Sequence, residues 1–268
     1  MPRLPLIPSA LITAMLAFAT PSAAQDSIFT VSEKQNKTFV DVGAAALIRE
    51  TYVGSEKSSV LPLPFVSAGY KGRYFFNPAL GAGVYAINND HFRLGATTNI
   101  SLGRKGDDTP FNNDAFEVDP TLTAAAFTRV YLPIAAFDTI ATVPVVGGLD
   151  GMRVDALLST SFSPLDNVKI TPGVRATYHS RDWINTQYGI TDAQAAAVSD
   201  TFPALTALDL DGQVSTLGVH TAVYWTVNEN YEVIGAVNHS VLQGDAKDSP
   251  LTPKNTGTTL ALAIARKF

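Results

Sequence analysis

The chain has 268 residues, 46% of them hydrophobic and only 16% charged, with no cysteine and a net charge of −5. That balance is too apolar for a disordered chain, lacks the staples of a small disulfide scaffold, and offers no basic patch for nucleic acid. Beyond the amino terminus no segment approaches the run of about 18 apolar residues that marks a membrane-spanning helix, so a helical membrane protein is excluded too.

Residues 1–24 read as a secretory signal. Arg3 supplies the positive charge, Leu11 to Ala19 the apolar core, and Ser22 and Ala24 the small residues of a cleavage site before Gln25. The core is shorter than the roughly 20 residues a spanning helix needs, and no cysteine follows Ala24 to take a lipid anchor. Removing it takes away 24 residues and one of the 19 basic side chains, leaving 244 residues, 18 basic against 24 acidic, and a net charge of −6. Residues 25–37 form a segment expected in the periplasm, and 38–268 the domain proper.

From Thr38 onward the chain alternates with period two, the signature of half-buried strands. Roughly twelve strands are predicted, beginning near Thr38, Val60, Arg73, Leu80, His91, Phe116, Pro133, Gly151, Asn167, Gly212, Tyr231 and Thr256. Val168 to Arg181 is the clearest: Val168, Ile170, Val174, Ala176 and Tyr178 share one face, and Lys169, Thr171, Arg175, Thr177 and His179 the other. Phe92 to Gly103, Met152 to Phe162 and Val214 to Val227 repeat the pattern. Each is close to the 9–11 residues a tilted strand needs to cross a bilayer, which predicts an all-β fold, a transmembrane antiparallel up-and-down β-barrel of about 12 strands.

The connectors agree. Short turns at 70–73, 88–90, 163–167 and 228–230 are expected on the periplasmic side, and long connectors at 49–59, 104–115, 182–211 and 244–255 outside. Within the long third connector, Thr191 and Gln194 have capping-box spacing and Asp192 suits a helix amino terminus, so a helical turn or two is expected over Ala193 to Val198. A soluble β-sandwich shares the alternation. It is disfavoured by the signal, by the aromatic terminus, and by an arginine- and histidine-bearing face set against a smooth apolar one.

The register places Arg93, Glu117, Asp119, Arg129, Arg153, Asp155, Lys169, Arg175, His179 and His220 in the lumen. Paired, these charges would plug a narrow barrel; solvated, they would line a small polar pore. Catalysis is not expected. His179-Ser180 and His239-Ser240 are adjacent in strands and so point to opposite faces, and no serine with an orienting carboxylate is evident. Asp107, Asp108, Asp245 and Asp248 lack calcium-loop spacing, and no metal or cofactor is expected.

The last strand, Thr259 to Phe268, alternates Leu260, Leu262 and Ile264 with Ala261, Ala263 and Ala265 and stops on an aromatic residue. It resembles the terminal strand of outer-membrane barrels, in which the final aromatic, here Phe268, is the signal read by the barrel assembly machinery. Three further segments carry a more specific resemblance: Tyr52-Val-Gly54-Ser55-Glu56 with Pro62-Leu-Pro64; Tyr188-Gly189-Ile-Thr-Asp-Ala-Gln194-Ala; and Leu242-Gln-Gly244-Asp245-Ala-Lys-Asp248-Ser249-Pro250. In order and spacing they resemble the MipA/OmpV family, named for the MltA-interacting protein. The resemblance implies a non-enzymatic protein in the outer membrane of a Gram-negative bacterium, surrounded by outer-membrane lipid. It also implies a scaffold that brings a lytic transglycosylase together with a peptidoglycan synthase, with residues 25–37 as the periplasmic contact. A narrow channel for small polar solutes, and surface recognition or adhesion by the outer loops, are the alternatives.

Overall fold

The protein is described by a computed structural model over residues 38–268, so the expected signal and the 25–37 segment lie outside the described residues. Thirteen strand segments follow one another in a single antiparallel sheet: β1 (Phe39–Glu50), β2 (Ser58–Tyr70), β3 (Tyr74–Asn77), β4 (Gly81–Asn88), β5 (Phe92–Ser101), β6 (Thr121–Tyr131), β7 (Ala136–Val146), β8 (Arg153–Ser159), β9 (Phe162–Leu165), β10 (Val168–His179), β11 (Gln213–Thr226), β12 (Tyr231–Leu242) and β13 (Thr256–Lys267). Both β8 and β9 pair with β10, so they are one stave broken at Thr160-Ser161, and the staves number twelve. The sheet closes on itself where β1 pairs with β13, Gly43 opposite Ala265 and Leu47 opposite Ala261.

The predicted starts fall within a few residues of the observed ones with one exception. The sixth strand begins at Thr121 rather than Phe116, because Asp114–Phe116 forms a 3-10 turn whose cap, the Asn113 side chain, accepts from the Ala115 amide. This also corrects two lumen assignments. Glu117 and Asp119 stand on the connector, exposed to solvent, and not inside the barrel.

The faces are inverted relative to a soluble domain. Val40, Val42, Ile48, Val60, Val174, Val219, Leu260, Leu262 and Ile264 are exposed on the outer surface, whereas Asp41, Arg49, Arg93, Arg129, Asp155 and Arg175 are buried inside. An exposed apolar belt around a polar interior is the arrangement that lipid demands of a membrane-spanning sheet. At the end carrying both termini of the barrel, Tyr70, Tyr74, Trp225, Tyr231 and Phe268 are exposed, an aromatic girdle at one interface. Arg266, an odd residue for a lipid face, lies over the Phe268 ring with 4.8 Å to its centroid, keeping its charge at the membrane boundary.

The turns at that end are short: 71–73, 89–91, 132–135, 166–167 and 227–230. The opposite end carries 51–57, 102–120, 180–212 and 243–255, as expected, together with two tighter links, 78–80 and 147–152.

Candidate functional site

Two regions concentrate the polar chemistry of the described chain: an ion-paired strip on the inner wall, and a cap built by the long connectors at the end opposite the barrel termini. The strip follows from register. Arg129 on β6 stands directly opposite Asp138 on β7, and the two form a bidentate pair, Nε to Oδ1 at 2.6 Å and Nη2 to Oδ2 at 2.8 Å. On the next staves Asp155 is held from three directions. Arg153 Nη2 donates to it at 3.0 Å, Arg175 lies at 2.7 Å, and the Thr177 hydroxyl, directly across on β10, donates at 2.7 Å. Carboxylates with both oxygens engaged by charged or hydroxyl donors tolerate burial that would be prohibitive for an isolated ion.

Around this strip stand the remaining predicted lumen residues. Arg93 is 1% exposed, opposite Arg129, with its guanidinium over the Tyr131 and Tyr85 rings at 5.3 and 6.0 Å. Lys169 is half-buried on the inner face of β10, near the short-turn end. His179 and His220 are buried. His179 Nδ1 bonds the Ser215 hydroxyl at 2.8 Å and its ring stacks on Trp183. Sequence reading missed that pair, because β10 and β11 are separated by the longest connector and a bulge after Thr177 shifts their register. Ser215 is fully buried, and Asp155, the carboxylate of the neighbouring strip, is already engaged by two arginines and a threonine. The geometry is that of wall packing, unlike a base–nucleophile pair facing a substrate. As alternation requires, His239 faces outward, bonded to the Thr258 hydroxyl at 2.9 Å, and Ser240 inward. Both ring nitrogens of His220 are buried without a protein hydrogen-bond partner, a point on the inner wall able to bind water or a polar solute.

The cap is built from the three segments singled out in the sequence. The Tyr52 hydroxyl donates to the Leu251 carbonyl at 2.7 Å, joining the first to the third. The Ser249 hydroxyl donates to the Tyr188 carbonyl at 2.6 Å, joining the third to the second, and the Tyr188 hydroxyl reaches the Val53 carbonyl at 3.4 Å. Beneath these bonds Tyr52, Ile184, Tyr188, Leu210, Leu242 and Ala246 form one apolar core. Gly54 lies at φ +98 against Thr252 and accepts from the Lys254 amide at 3.1 Å, so a side chain there would strain the backbone and break the contact. Ser55 is buried; Glu56, Asp245, Asp248 and Pro250 are exposed, while Gly189 ends a helix and Gly244 opens a 3-10 turn. Pro62 and Pro64 belong to the wall, on β2.

Two helices complete the cap: α1 (Arg181–Tyr188), which the alternation does not predict, and α2 (Asp192–Ala197), which has the expected capping box between Thr191 and Gln194. Gln194 Nε2 also donates to the Ala115 carbonyl at 2.9 Å, tying α2 to the 102–120 connector. The residue that locks these parts together was not anticipated. Arg104, 4% exposed, donates to the Phe116 carbonyl through Nε and Nη2 at 3.2 and 3.1 Å, to the Gln187 carbonyl through Nη1 at 2.5 Å, and lies 5.1 Å from the Tyr52 ring centroid. Burial pulls its pKa down, opposed by Tyr52, Tyr188 and Asp108. The same burial pushes the Tyr52 hydroxyl up to about 12.

Among solved structures the barrel is similar to the KdgM porin (7% identity, 85% of this chain and 99% of that chain, TM-score 0.46). It is also similar to a Pseudomonas aeruginosa FadL homologue (9%, 94% and 97%, TM-score 0.38) and to Neisserial surface protein A (14%, 85% and 95%, TM-score 0.26). No curated protein matches the sequence. The family model described as MltA-interacting protein MipA matches residues 42–268, from the first strand to the terminal phenylalanine, and the chain belongs to that family.

Proposed function

We propose that this outer-membrane barrel is a non-enzymatic, non-conducting envelope protein that holds peptidoglycan-remodelling enzymes at the membrane: a lytic transglycosylase, in keeping with the family's name, and a peptidoglycan synthase. The observation that carries this reading is the cap. All four long connectors contribute to it, and their shared core and carbonyl-clamped arginine make it part of the fold, unlike loops free to swing from a pore mouth. The turns at the opposite end are too short to dock a large enzyme, which directs attention to residues 25–37 as the contact.

The test has two arms. The refolded protein in a planar bilayer is expected to be silent, and capture of a purified lytic transglycosylase is expected to be lost on deleting residues 25–37 while the barrel stays heat-modifiable. Unchanged capture removes the scaffold reading. Discrete conductance steps whose ion selectivity changes in Arg175→Gln would support the channel reading, which the mixed charges of the inner strip favour.

A further inference from the structure

The wall is not of uniform height. β3 has four residues, and its ladder to β2 covers only Ala68 to Tyr70. β4 begins at Gly81, opposite Asn77, and meets β5 no higher than Thr98. Above this low hairpin, among the described residues, no ladder joins β2 to β5. At hairpin level three strand spacings, together on the order of 14 Å, separate those two staves. The gap has a roof: the Ser55 hydroxyl donates to the Asp108 carbonyl at 3.4 Å, and Lys57 Nζ donates to the Asp107 carbonyl. It also lies at hydrocarbon depth, since Val60 and Val66 on its edge pair with Ile48 and Val42, both exposed on the apolar belt. The result is a side window in a barrel whose end is capped.

The edge of β2 is adapted to remain unpaired. The Tyr70 carbonyl accepts from the Arg73 amide across the turn to β3, so even-numbered residues of β2 turn their backbone groups away from β1 and toward the gap. Pro62 and Pro64 are both even-numbered and have no N–H to leave unsatisfied in lipid. Prolines there also refuse a pairing strand, which argues against another chain adding to this edge. Behind the edge the interior is apolar: Leu61 and Leu63 pack on the core around Leu47, and Phe65 on that around Ile234. At the lower border of the gap Leu80, in the β3–β4 link, packs with Tyr85 and Phe127.

We propose that this window, between β2 and β5, admits an acyl chain of a surrounding membrane lipid into the apolar half of the barrel. Val60 is exposed on the lipid-facing surface beside the window. At the level of Leu61 and Leu63 the inward neighbours on β1 are Leu47 and Ala45, with the charged Arg49 and Asp41 above and below them. The window is thus a lipid-binding site independent of the enzyme-holding role.

The protein has no cysteine, so single reporters can be placed cleanly. A bimane label on Leu63→Cys or, should that variant fold poorly, Leu61→Cys reports the window. Val60→Cys reports the lipid face, and Leu157→Cys, buried on the closed wall, reports the interior away from the window. The proteins are refolded into phosphatidylcholine vesicles containing doxyl-labelled phosphatidylcholine. Loss of fluorescence at Leu63 or Leu61 as deep as at Val60, with Leu157 unaffected, is the expected result. A window label as bright as that at Leu157 overturns the proposal, as does equal quenching at Leu157, which would mean lipid reaches the interior by another route. Protection of Val60 together with Leu63 overturns it too, by showing a second copy of the chain over the window.

Discussion

Asp155 shows how a single side chain can decide whether this interior is tolerable. It pairs with two arginines at once, and Thr177 supplies a further donor. Asp155→Asn leaves Arg153 and Arg175 facing each other inside the barrel without their shared anion, and breaking a buried ion pair in this way costs about 3–5 kcal/mol. The urea midpoint of the barrel in detergent is expected to fall accordingly; an unchanged midpoint would mean the arginines are compensated elsewhere. Tyr52 offers a pH reading of the cap. Its folded pKa is raised to about 12, whereas an unfolded tyrosine ionises near 10. The unfolded chain therefore loses a proton first, so the stabilisation is complete below about pH 10 and declines as pH rises toward 12. Wild type is expected to lose more thermal stability over that interval than Tyr52→Phe, which lacks the ionisable group. Equal losses would show that the Tyr52–Leu251 contact opens before the proton leaves.

Among the elements, the β1–β13 seam is the one on which closure depends. Gly43 sits where a Cβ would fall on the Ile264 carbonyl of the partner strand, so only glycine lets the two staves approach. Gly43→Val is expected to destabilise the barrel by about 1–3 kcal/mol through overpacking, seen as a lower yield of heat-modifiable protein; the outward Val42→Ala is the control and should assemble normally. In the outer cap, Thr191→Ala removes the capping box of α2 at a cost of about 1 kcal/mol. The effect is local, because α2 packs on the cap and not on the strands. Faster amide exchange is expected in residues 192–198 with no change in β10 or β11, and unchanged exchange in 192–198 would refute a capping role. The capping box was legible in the sequence because it depends on spacing within four residues. Helix α1 was not, since its buried Trp183 and Ile184 are ordered by Val118, Leu149, Tyr52 and Leu242, partners distant in sequence.

At the scale of the molecule, alternation alone was enough to place twelve staves, most of their starts, and which connectors are long. A bilayer imposes one requirement on every stave, a lipid-facing residue at each second position, and that requirement is written locally along each strand. The inner face was legible to the same extent: the register put Arg93, Arg129, Arg153, Asp155, Arg175, His179 and His220 inside, where all seven are buried. It failed at Glu117 and Asp119, where the alternating pattern was extended past the true strand start into a turn governed by the Asn113 side chain. Partners were beyond its reach. That Arg129 meets Asp138, that Arg104 clamps Phe116 and Gln187, and that the three motif segments converge on one cap core depend on how the closed sheet staggers and brings its loops together. The low β3–β4 hairpin and the window above it are likewise tertiary: each strand obeys the alternation rule, and only the pairing of one strand with the next reveals where the wall stops. Period-two hydrophobicity is a property of one strand and can be read along it, whereas charge pairing, loop closure and gaps are properties of neighbours and exist only once the barrel has closed.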